Sequence, residues 1–193
     1  MHTHQELTAE LLQSFQIING LSSESIAWLI QELMPIHLSS GEALTQESMT
    51  NRHLYLIQSG EISVQKSTPD GKQETVVNLK GPTVVGEMSC LLGRSSIATV
   101  SAQTPVTGWK LDTRLLRKAP PQLFLRERLL ERILKLVSAR LEATNQSVLN
   151  LMVAHSNNNQ LTLQDMEAFT ETWKAGLSFR EDFSDLDESW SFT

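Results

Sequence analysis

The residues most able to do chemistry lie in one short stretch, 85–100, which reads VGEMSCLLGRSSIATV. A strand ending at Gly86 and a single helical turn opening at Glu87 leave free N–H groups and a positive dipole end directed outward. That is a small anion site. Glu87 adds negative charge beside it, so its carboxylate suits hydrogen bonds from a sugar hydroxyl or from the N–H groups of its own loop. Arg94 is the one cation of the stretch. Cys90 sits in the same turn, where a helix N-terminus lowers a thiol pKa, although a small buried hydrophobe is the simpler role. His2 and His4 form a His-x-His pair near the N-terminus, a weak metal signal. No nucleophile–base pair, metal-ligand set or Walker loop accompanies them, so the expectation is a protein that is not an enzyme and needs no metal or cofactor.

The elements that must hold this stretch are short strands. From Ile36 to Leu111 the pattern alternates β segments and turn residues, with strands expected near 52–57, 61–65, 74–79, 97–102 and 106–111. Ser59-Gly60 and the segment Thr68-Pro69-Asp70-Gly71-Lys72 are the turns between them. Many short strands at close spacing favour a small barrel or roll over a parallel sheet. Before them, Leu7, Leu11, Leu12, Phe15 and Ile18 predict a first helix. Ser22 or Ser23 caps a second, with Ile26, Leu29, Ile30 and Leu33 on one face, ended by Pro35.

After Pro120-Pro121 a long helix is expected to run to about Met152. Leu130, Leu134, Val137, Leu141, Thr144, Val148 and Leu151 repeat every seven residues, with Thr144 the one polar position. Leu129, Ile133 and Leu136 form a second apolar stripe. A helix with two apolar faces needs two covers, and a second copy of the chain is the expected cover of the seam, through residues 122–151. Another helix of the same chain is the alternative.

Composition sets outer limits. The 193 residues are 40% hydrophobic and 20% charged, with one cysteine, which leaves no disulfide scaffold within a chain. The N-terminus has no basic start or apolar run, and no stretch reaches a membrane span, so a cytoplasmic protein without a membrane role is expected. The net charge of −6 lies wholly in residues 151–193, where Lys174 and Arg180 face eight acids. Such a segment repels a phosphate backbone, and no nucleic-acid partner is expected. Residues 110–140 carry nine basic groups against three acids, the pattern of a solvated face. A polar linker at 156–160 precedes a short capped helix from Thr162 carrying Met166, Phe169 and Trp173. In the tail, Phe179, Phe183, Leu186 and Trp190 share one helical face among acids. Residues 177–193 are therefore a candidate docking segment for a protein partner or for the chain's own body.

With Phe15 to Leu21, the segment 41–44, the stretch 54–62, the 85–100 stretch and the long helix in this order, residues 12–150 resemble the cyclic-nucleotide-binding domain family. That is the family of the catabolite activator protein and the protein kinase A regulatory subunit. The resemblance implies a mainly β fold: a β-roll of the jelly-roll type with flanking helices and a long C-terminal dimerisation helix. The expected division is helices at 1–35, the roll at 36–120, the dimer helix at 121–152, then linker and tail at 153–193. It also implies that Gly86, Glu87, Met88 and Ser89 cradle a cyclic phosphate, that Glu87 takes the ribose 2′-hydroxyl, and that Thr144 and Asn145 face the base. Relatives that act on DNA follow the helix with a basic winged helix-turn-helix, which an acidic segment does not resemble.

One position departs from the family. Where it places an arginine against the cyclic phosphate, this chain has Ser96, followed by Ile97 and Ala98. A charge-assisted hydrogen bond contributes ~1.5–3 kcal/mol. Its loss weakens binding roughly 10- to 150-fold. Three alternatives stand: Arg94 reaches in from a re-bent loop, the pocket takes another ligand, or it takes none. The expected function is accordingly a stand-alone, homodimeric regulatory sensor of the cyclic-nucleotide-binding type. The alternative is a degenerate roll serving as a protein-interaction scaffold.

Overall fold

Antiparallel pairing builds two four-stranded sheets in the computed structural model, which describes residues 7–92 and 95–156. The first sheet has the order β1-β8-β3-β6, formed by Met34–Leu38, Val106–Asp112, His53–Ser59 and Thr83–Val85. The second has the order β2-β7-β4-β5, formed by Ala43–Thr45, Thr99–Ala102, Glu61–Ser67 and Gln73–Lys80. Consecutive strands thus pass from one sheet to the other everywhere except at the β4–β5 hairpin, and the expected roll is what the chain forms. The turn expected at 68–72 is present. Gly71 N donates to Thr68 O and Thr68 N to Lys72 O, each at 2.8 Å.

Strand β3 is covered on both faces, with Leu54, Tyr55, Leu56 and Ile57 all buried in sequence. A central strand of this kind loses the in–out alternation that marks a half-exposed one. Strand β5 is the opposite case, an edge strand in which only Val77 and Leu79 are buried. Helix α1 covers only Ala9–Gln13 where the spacing predicts a helix continuing to Ile18. The Ser14 hydroxyl donates to Leu11 O at 2.7 Å, and the chain passes into tight turns that still bury Phe15, Ile17 and Ile18. Burial there follows the apolar residues, while the backbone follows the turn. Helix α2, Ser23–Glu32, starts as expected: the Ser22 hydroxyl accepts from Ser25 N at 3.2 Å. It ends before Pro35, which pairs with Trp109 inside β1.

The chain divides into two units, residues 1–134 and 135–193. Helix α4, Leu125–Ser156, begins in the first and continues into the second. In the first unit Leu125, Leu129 and Ile133 are buried and Leu134 is exposed. In the second, Leu136, Ala143 and Ser147 are buried while Leu141 and Val148 are exposed. No helix among the described residues is long and apolar enough to cross a membrane. His2, His4, Arg94 and everything from residue 157, including the tail at 177–193, lie outside the described residues.

The register of β3 against β8 leaves no space at Gly108: a methyl group there meets the carbonyl oxygen of Leu56, which as backbone in a paired strand cannot yield. Gly108→Ala is expected to destabilise the fold by about 1–3 kcal/mol in urea denaturation. An unchanged midpoint would show that the two strands are not this close.

Candidate functional site

Strand β6 ends at Val85, and Gly86 turns the chain into helix α3, Glu87–Leu92, with φ +85°. A side chain at Gly86 has no room either. An added Cβ falls 2.6 Å from His53 O and 2.9 Å from the Asn51 amide nitrogen. Both the backbone angle and the close approach require glycine. The residues expected to cradle a phosphate follow at once: Glu87 and Ser89 are buried, and Met88 is 37% exposed.

Asn51 is the buried polar residue on which this corner is built. Its Nδ2 donates to His53 O at 2.9 Å, and its Oδ1 accepts from His53 N at 3.0 Å. The side chain thereby closes its own loop, as an Asx turn does. The Tyr55 hydroxyl lies 3.4 Å from both Asn51 Oδ1 and Leu44 O. Burial is the main influence holding His53 below its ordinary pKa. Lys110 and Arg114 act in the same direction and Asp112 against them.

The far end of the cassette is held by a strap, residues 46–50. Ser48 N donates to Ser96 O at 2.8 Å, Ser96 N donates to Met49 O at 2.7 Å, and Thr50 bridges to Ser95. Glu47 secures the strap by its side chain, accepting from Lys66 Nζ and from Ser67 N, each at 2.8 Å. Lys66 Nζ also donates to Ile97 O at 2.8 Å. The Lys66 hydrogen bond, then that of Ser67, lowers the Glu47 carboxyl to about 2. Sequence reasoning named Ser96, Ile97 and Ala98 here but missed Asn51, the strap and Lys66. The only local signal for Asn51 was an Asx residue just before a strand.

A cavity of about 300 Å³ opens between the strap and the cassette, lined by residues 43–46, 49–51, 53 and 55 and by Ser96. Of the expected ligand residues that are described, Ser96 alone lines it. Ser96 is 5% exposed, and its hydroxyl makes no hydrogen bond among the described residues. Ile97 is half exposed at the surface. Thr144 and Asn145 belong to the second unit and are exposed there; the Thr144 hydroxyl donates to Arg140 O at 2.8 Å. No cluster of potential metal ligands occurs among the described residues.

Residues 35–119 match the model of the cyclic nucleotide-binding domain. This segment belongs to that family. A longer similarity, 26% identity over 144 residues, relates the chain to a CRP-like cAMP-activated global transcriptional regulator of Mycobacterium tuberculosis. That match covers 74% of this chain and 62% of the relative, so the chain spans less than two thirds of the regulator's length. A cyclic nucleotide-binding domain from Methylobacillus flagellatus superposes with a TM-score of 0.62 at 23% identity, covering 80% of this chain and 84% of that one. The regulatory subunit of a cAMP-independent protein kinase A from Trypanosoma cruzi, solved bound to guanosine, gives 0.54 at 24% identity, with coverage of 59% and 40%. At these identities the structural likeness is one of fold.

The strap's electrostatics give a testable sign. A carboxyl held at about 2 in the folded domain, against 4.5 for the free group, stabilises the fold above 4.5. That stabilisation disappears as pH falls from there through about 2. Glu47→Gln is therefore expected to flatten the acid limb of a plot of Tm against pH. Identical limbs for variant and parent would show that Glu47 does not hold the strap.

Proposed function

We propose that the chain is a homodimeric, non-catalytic sensor whose roll takes a ligand of the nucleoside or nucleotide class at the cassette. The observation that carries the dimer is the uncovered stripe of α4. Leu134, Leu141 and Val148, seven residues apart, are 65%, 59% and 45% exposed, whereas Leu125, Leu129, Ile133 and Leu136 on the same helix are buried. Aliphatic groups at heptad spacing suit the same stripe of a second copy. Isolated exposed leucines need no explanation, but a repeating row on one helix marks an interface.

The ligand class comes from the family and from the relatives, one named as cAMP-activated and one solved with guanosine. The acid excess of residues 151–193 supports a role without nucleic acid. For the tail at 177–193, four large apolar residues among acids support docking to a protein. A scaffold that binds no nucleotide is the second reading, favoured by the engagement of the Ser96 N–H with Met49 O.

Replacing Leu134 and Leu141 together by Glu puts like charges into the seam. The expected result is a dimer for the parent and a monomer for the variant in light scattering, with parent and variant keeping the same folded circular-dichroism spectrum. A parent that is already monomeric overturns the proposal.

A further inference from the structure

We propose that the cavity beside Ser96 takes an uncharged nucleoside in preference to a cyclic phosphate ester. The inference rests on the sensor reading above and names the ligand of that same site.

The first argument is charge. Among the described residues no Lys, Arg, Asp or Glu lines the cavity. A neighbouring cavity of about 490 Å³, which shares Ala43 and Gln46, has Glu47 as its one charged wall. The nearby cation, Lys66, is bound to Glu47 and to Ile97 O. A phosphate seated here gives up its hydration with no countercharge among the described lining residues to replace it, and that loss is large for an ion.

The second argument is the donors. A phosphate without a cation depends on backbone N–H groups, and two on this rim are engaged: Ser96 N with Met49 O, and Ser48 N with Ser96 O. What the cavity offers instead is uncharged. The Ser96 hydroxyl is buried without a partner among the described residues, and an unmet buried hydroxyl favours any ligand that supplies one. Gln46 and Thr50 add side chains that both donate and accept, while Leu44 and Met49 contribute apolar surface. Hydroxyl groups beside apolar wall match a ribose attached to a flat base. The volume is at the lower end of the ~300–1,000 Å³ typical of ligand sites, which suits one nucleoside. The Ser96 hydroxyl lies just under the wall, so seating the ligand includes a local shift of the strap.

Isothermal titration of the full chain with adenosine, guanosine, cAMP and cGMP tests this. At least one nucleoside is expected to bind roughly tenfold or more tightly than its cyclic phosphate. Ser96→Ala, a small change that keeps the fold, is expected to weaken that nucleoside roughly 2- to 12-fold, the range of one neutral hydrogen bond. Ser96→Arg restores a cation and is expected to shift the ranking toward the cyclic phosphate, by up to ~100-fold in its affinity. Cyclic nucleotides binding as tightly as nucleosides to the parent would overturn the inference and leave the sensor reading standing. Nucleoside binding unchanged by Ser96→Ala overturns the assignment to this cavity. No binding of any of the four to a natively melting chain overturns both, and the scaffold reading replaces them.

Discussion

The pairing of residues 48–50 with 95–96 is the constraint around which the site is arranged. Two backbone hydrogen bonds and one isolated bridge join segments almost fifty residues apart in sequence. They tie the exit of the cassette to the loop that leads into β3. The entrance of the cassette is tied to the same loop, because Gly86 packs against Asn51 and the carbonyl of His53. Both ends of the cassette therefore depend on residues 48–53, and a displacement of that loop reaches both. Asn51 makes the loop rigid by filling its own backbone hydrogen bonds, at the cost of burying an amide. A buried amide is tolerated because its oxygen and nitrogen are both engaged.

Helix α4 poses a different problem. Its leucines are too numerous for one cover, and the burial pattern shows how they are divided. Leu129 and Ile133 of the first unit and Leu136 and Ala143 of the second are buried, yet Leu134 and Leu141 are not. Polar residues inside the helix are accommodated by their own backbone. Thr144 donates to Arg140 O and Ser147 to Ala143 O, each at 2.8 Å, so neither hydroxyl needs a partner from outside to supply an acceptor. A threonine in the heptad seam is thereby compatible with an apolar interface, because its proton is already placed.

Features with local causes were legible in the sequence. The 68–72 turn, the Ser22 cap, the strand alternation and the Gly86 corner each depend on residues within a few positions of one another. The roll itself was legible through the order of such pieces. What sequence reasoning missed was non-local. Lys66 meets Ile97 across 31 positions, and Glu47 meets Ser67 across 20. No periodicity announces such pairs, since each side chain alone looks like a solvated charge. The shortened α1 has a related cause. Its apolar spacing correctly marked Leu12, Phe15 and Ile18 as buried, but burial of those residues did not need a continuous helix. Ser96 was legible as a departure, while the engagement of its backbone was not.

That departure bears on how a neutral site discriminates. Charges around the cassette are matched within the protein: Glu47 with Lys66, and Asp112 with Arg114, whose contact draws the Asp112 carboxyl down to about 2. Burial favours the neutral form of His53, so the histidine in the cavity wall adds no countercharge at neutral pH. Specificity is a difference of affinities, and it arises as readily from a penalty on the wrong ligand as from a contact to the right one. In the site proposed above, the penalty is desolvation of a phosphate without compensation. It needs no side chain to enforce it, only charges already paired, as Lys66 is with Glu47 and Arg114 with Asp112. An arginine in place of Ser96 removes the penalty at one step. On the proposed reading, the residue at this position decides the ligand's charge, while the strap and Gly86 decide only where it sits.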